Sequence, residues 1–118
     1  MHKYRHLVAW QRARDVTLTV FREAHAHYHP RSRALLEQLR RAALSIDLNI
    51  VEGGALGSTP LFRRHVRIAI GSAAESQRLT ELARELEYLP VETTTHLDRL
   101  LDDTLALLHG LLKRLNRT

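Results

Sequence analysis

Three interruptions divide this chain of 118 residues into four stretches of similar length, and each stretch repeats apolar residues at the period of an α-helix. The interruptions are "YHPRS" around Pro30, "GGALGSTP" from Gly53 to Pro60, and "YLP" ending at Pro90. Pro60 and Pro90 suit the first turn of a helix, where a missing N–H costs nothing, and Ser58 or Thr59 is placed to cap the third helix. The glycines of "GGALGS" read as the stop of the second helix. Helices are therefore predicted over residues 5–28, 32–53, 59–88 and 91–116. Short connections make consecutive helices antiparallel neighbours, so the predicted fold is all-α: an up-down-up-down antiparallel four-helix bundle, with residues 1–118 as one domain.

The stripes indicate which sides pack. In the first helix Trp10, Ala13, Val20, Phe21, Ala24 and Tyr28 line up, with Val16 at the margin. In the fourth, Leu97, Leu101, Thr104, Leu108, Leu111 and Leu115 do so. A hydrophobic content of 44% with 26% charged residues supports one packed core, and only 5% aromatics disfavours a β-sandwich or barrel.

The second helix carries more apolar surface than a lone bundle needs. Leu35, Leu39, Ala42, Ala43, Ile46 and Ile50 form one face, and Leu44, Leu48 and Val51 form a second on the far side. Gln38, Arg41, Ser45, Asn49 and Glu52 run between the two faces as a polar ribbon. Asp47 lies at the opposite border of the core face. The third helix repeats the excess, with Phe62, Val66, Ala69 and Ala73 on one side and Leu61, Ile68, Leu79, Leu82 and Leu86, with Glu75 among them, on another. Its middle, "AIGSAAES", gathers small residues, and close approach of another helix would compensate for Gly71 in a helix interior. The surplus faces predict a homo-oligomer with Leu44, Leu48 and Val51 in its interface. Arg41, Ser45, Asn49, Glu52 and Glu75 are expected to form a buried or interfacial hydrogen-bonded network, with Arg41 paired to Glu52 or Glu75.

The formal charge is +5, and 16 of the 18 basic residues are Arg, which suits bidentate contact with phosphate or carboxylate. Arg63, Arg67 and Arg78 share one face of the third helix opposite its main apolar sides, and Arg64 adds to it. Glu81 and Glu85 share the C-terminal part of that face, so positive potential is expected in the N-terminal half. These four arginines are the candidate contacts to RNA or DNA.

Other chemistries find no support. With no Cys there is no disulfide, thiolate metal site or cysteine nucleophile, which points to a reducing, cytoplasmic setting. No window is apolar enough for a membrane span. "GGALGS" matches neither phosphate-binding glycine pattern, and no Glu-x-x-His pair offers a di-iron site. His25 and His29 stand at ligand spacing, but Pro30 turns His29 toward an extended conformation and a solvated helix end. No catalytic residue, metal or cofactor is expected, and the chain reads as a non-enzyme.

"LRRAALSIDLNIVEGG", followed by "FRRHVRIAIGSAAESQRLTELARELEYL", resembles the 23S rRNA intervening-sequence protein family. The resemblance extends to "LVAWQRARDVTLTVF", with its Trp10-Gln11 pair, and so covers nearly the whole chain. It implies a small cytoplasmic four-helix bundle that assembles into a ring, commonly a pentamer. The family is also similar to accessory proteins of diversity-generating retroelements, which are basic and associate with nucleic acid and a reverse transcriptase. The matching positions are Arg40, Arg41, Ser45, Asn49, Glu52, Gly53, Gly71, Ser72 and Glu75, and the family supplies no catalytic residue. Asp47 stands where the family usually has Pro, and Glu87 where Gly is usual before "YL". Two functions follow as expectations: an oligomer that binds nucleic acid through Arg-rich surfaces, or a scaffold or accessory subunit that binds another protein.

Overall fold

In a computed structural model that describes residues 3–117, the four stretches form helices α1 (Val8–Ala26), α2 (Arg33–Ala55), α3 (Thr59–Glu85) and α4 (Val91–Leu115). Short 3₁₀ turns, Lys3–His6 and Pro30–Ser32, precede α1 and α2. Each helix packs on two neighbours, α1 on α2 and α4, and α3 on α2 and α4. Side-chain pairs show the alternating directions: Trp10 meets Asp47, Ser45 meets Ser72, and Gln77 meets Asp102. The chain is thus an up-down-up-down antiparallel bundle, 46 × 22 × 19 Å.

The core runs the length of the bundle and is built from aliphatic side chains. Leu39, Ile46, Ile50, Val66, Leu97, Leu101 and Leu108 are fully buried, and α1 contributes Ala9, Ala13, Val16, Val20 and Ala24. Here the structure corrects the reading of α1: Val16 is central, whereas Phe21 is 38% and Tyr28 58% exposed. The helix is rotated so that its small residues face inward, which admits the leucines of α4; Phe21 lies instead under the Arg40 guanidinium at 5.6 Å. Buried hydroxyls bond backbone carbonyls one turn back, as Thr80 does to Ser76 and Thr104 to Leu100.

The helix ends also differ in detail. Gly53 and Gly54 do not stop α2, which continues to Ala55; Gly57, at φ +69°, makes the turn instead. Gly53 serves packing: a Cβ there would stand 2.9 Å from both His65 Cβ and Phe62 Cδ1 of α3. Gly71 is the reverse case, because a Cβ there would meet nothing within 4 Å. Within this chain, therefore, no close helix approach depends on Gly71. Ser58 occupies the N-cap of α3 without a side-chain capping bond, and Pro90 is the N-cap of α4.

Candidate nucleic-acid interface

The α2–α3 seam is where the polar ribbon lies. Asn49 Nδ2 donates to Ser45 O at 2.8 Å and Ser45 Oγ at 3.1 Å, so its Oδ1 is left to accept. His65 Nδ1 lies 2.9 Å from that oxygen and must carry the hydrogen there. Ser45 Oγ continues the chain to Ser72 Oγ at 2.8 Å, and Gln38 donates to Glu75 at 2.6 Å further along. Glu52 is exposed, 3.8 Å from His65 Nδ1.

Two details depart from expectation. Arg41 is exposed and reaches only Gln38 Oε1, at 3.4 Å; among the described residues it pairs with neither Glu52 nor Glu75. His65, which the sequence reading missed, takes the central position. Helix spacing alone could not find it, because His65 reaches Asn49 from nearly a turn beyond the level set by the Ser45–Ser72 contact, and that depends on how α3 lies against α2. Asp47, on the other border, accepts from Trp10 Nε1 at 2.8 Å and ties α2 to α1, and α2 runs on without a break where the family usually has Pro.

Outside the seam, Leu44 and Leu48 are exposed, the latter by 45%, while Val51 is half-buried. The register puts Ile68 of α3, 42% exposed, level with Leu48 across the ribbon, and Leu61 is exposed on the same helix. The second apolar faces of α2 and α3 therefore adjoin, with the polar ribbon between them.

The four candidate arginines separate into different roles. Arg63 is half-buried and donates from Nη1 to Leu115 O at 3.1 Å, which caps the C-terminus of α4. Arg78 is engaged by Glu81 and Glu85 at 3.3 and 3.2 Å, so little net charge remains there. Arg64 and Arg67 are exposed, and among the described residues neither makes an ion pair. Arg64, Arg67 and Arg78 thus face solvent, Arg78 with its charge offset by two glutamates, while Arg63 departs from the expected exposure by packing against α4.

The fold adds cations that were not singled out. Because Arg63 meets Leu115, the first turns of α3 lie beside the last turn of α4, with Lys113, Arg114 and Arg117 exposed there. Arg114 and His6 line one cleft between α4 and the N-terminal turn, which brings in Arg5. Residues 1–14, 53–74 and 104–118 contain no Asp or Glu, and the bundle gathers parts of all three at one end. That signal was present in the sequence as acid-free segments. Among the described residues Glu52 is exposed near this end and Asp47 is bonded to Trp10 there, whereas Asp98, Asp102, Asp103, Glu81 and Glu85 engage partners farther along. The result is an elongated molecule with one strongly positive end.

His29 serves the chain itself, accepting from the Arg31 backbone N–H at 3.2 Å. Among the described residues no group of three or more His, Cys, Asp or Glu is placed to hold a metal, and no helix is long and apolar enough to cross a membrane.

Comparison with known proteins agrees with this architecture. Residues 5–110 match the family described as 23S rRNA-intervening sequence protein. The fold is similar to that of a protein of unknown function from the S23 ribosomal protein family of Bacteroides thetaiotaomicron. The TM-score is 0.82 at 20% identity, over 90% of this chain and 96% of that one. No curated protein matches the sequence.

Proposed function

This chain belongs to the 23S rRNA-intervening sequence protein family, and from that premise we propose that it is a nonenzymatic bundle that self-associates and binds nucleic acid. The observation that carries the reading is the basic end, where Arg5, Arg64, Arg67, Lys113, Arg114 and Arg117 project from segments free of acidic residues. Phosphates are the ligands such a surface suits, because dispersed cations neutralise a backbone without reading bases. Self-association multiplies the effect, since several weak ends presented by one assembly add their contacts. The apolar residues Leu44, Leu48, Leu61 and Ile68 supply a surface for it, and a pentamer is the order that the family resemblance implies. With nucleic acid as partner, the cytoplasm is the compartment of this reading.

A gel shift with RNA and DNA across a salt series tests it. Affinity should fall steeply as salt rises, with a logarithmic slope of about 0.7–0.9 per phosphate contact. Changing Arg64, Arg67 and Arg114 to Glu should abolish binding at low salt without altering oligomer size. Arg63 is left in place because it caps α4. Binding by the triple variant as tight as the parent's would remove this end as the site.

The exposed apolar residues also favour a second reading, a scaffold that docks another protein on the α2–α3 face. It predicts a monomer that captures a partner through Leu48 and binds neither RNA nor DNA.

A further inference from the structure

Beside the basic end is a half-open pocket of about 260 Å³, lined by the N-terminal turn, the end of α2 and the start of α3. Tyr4, Leu7 and Phe62 give it apolar and aromatic walls, Gly54 leaves space on its α2 side opposite Tyr4, and Ser58 is among its lining residues. Its size falls below the roughly 300–1,000 Å³ of sites for drug-sized ligands, so it suits a single planar ring system better than a whole cofactor. Tyr4 is held edge-on against Trp10, with ring centroids 4.9 Å apart, and Trp10 is in turn fixed by Asp47. The Arg5 guanidinium stands 6.0 Å from the Tyr4 ring centroid, which puts a cation beside the aromatic wall.

We propose that this cavity receives one unstacked base of a single-stranded nucleic acid while neighbouring phosphates lie on Arg5 and the cations of the same end. The proposal rests on the nucleic-acid reading above and makes it specific for single strands. Aromatic walls beside cations match what an unpaired nucleotide offers, a flat apolar face joined to a negative backbone. A duplex keeps its bases stacked and cannot fill the cavity. The polar groups at the mouth, Ser58 and Thr59, begin α3 with no capping bond from the Ser58 side chain, and they can meet the edge of a base.

The test compares an oligothymidylate with an abasic strand of equal phosphate number, using fluorescence anisotropy and the full chain. The base-bearing strand should bind roughly 5- to 150-fold more tightly, the range for stacking one base on an aromatic side chain. It alone should change the emission of Trp10, the single tryptophan. Gly54→Leu fills the cavity from the α2 side, where a Cβ lies 3.6 Å from Tyr4 Cβ. It should abolish the advantage while leaving abasic-strand binding and its salt slope unchanged. If Gly54→Leu fails to fold, Tyr4→Leu, which removes the aromatic ring beside Arg5, should cut the advantage at least severalfold with abasic-strand binding unchanged, and an undiminished advantage overturns the base site. Equal affinity for both strands overturns the base site and leaves the phosphate reading standing. No binding of either strand at ~50 mM salt overturns both. Loss of oligomer in Gly54→Leu would assign the cavity to a second copy and end the proposal.

Discussion

Asn49 shows how one side chain can set others. Its amide is oriented by two bonds to Ser45, which leaves its oxygen for His65 and so determines which imidazole nitrogen carries the hydrogen. Asn49→Ala would leave the half-buried His65 Nδ1 without its acceptor and the Ser45 oxygens without the Asn49 donor, and should cost about 1–3 kcal/mol in urea unfolding. Arg41→Ala removes an exposed group with one long contact, and should stay within about 0.5 kcal/mol of the parent. A large loss for Arg41 and none for Asn49 would contradict this account of the seam. Both residues are polar, on the same helix and three or four positions from other ribbon members. What separates them is orientation, since only Asn49 points between α2 and α3.

At the scale of an element, glycine positions carry opposite consequences. Gly53→Ala forces a methyl group against His65 and Phe62 and should destabilise by about 1–3 kcal/mol through overpacking. Gly71→Ala meets open space and should stabilise α3 by up to about 1 kcal/mol. If Gly71→Ala instead weakens self-association, seen as a smaller species in light scattering, that face of α3 lies against another copy. The end of α3 offers a third change. Glu87 sits at φ +60° in a Schellman arrangement, with Tyr88 N–H donating to Ala83 O at 2.8 Å and Glu87 N–H to Arg84 O at 3.0 Å. A side chain in this left-handed region is strained, so Glu87→Gly should stabilise by about 1 kcal/mol and raise the melting temperature by roughly 4 °C. An unchanged or lower melting temperature would mean that the Glu87 side chain compensates for its backbone.

For the whole molecule, charge and apolar surface are distributed differently. Cations without acidic neighbours collect at one end, while exposed Leu44, Leu48 and Ile68 flank the seam along the side. This separation allows copies to join through their sides and keep their basic ends accessible. Leu48→Glu tests that geometry. Because Leu48 is 45% exposed, the variant should keep its helix content by circular dichroism, yet light scattering should show dissociation to monomers. Unfolding would place Leu48 in the packing of the single chain, and an unchanged assembly would move the interface elsewhere.

Helix number, order and direction were legible in the sequence, because prolines and glycines punctuate it and short loops leave antiparallel packing as the way to bury adjacent stripes. The α4 leucines were legible too, since Leu97, Leu101 and Leu108 allow that helix a single inward face. Rotation and register were not. Periodicity defines an apolar face to within a fraction of a turn, and the final choice belongs to the packing of all four helices together. Hence α1 turned Val16 inward and left Phe21 and Tyr28 outside. For the same reason His65, distant in sequence from Asn49, became its partner, and Arg63 joined α4 instead of the solvent. The acid-free segments were visible in the sequence, but their meeting at one end, and the cavity beside them, exist only once the chain has folded back on itself three times.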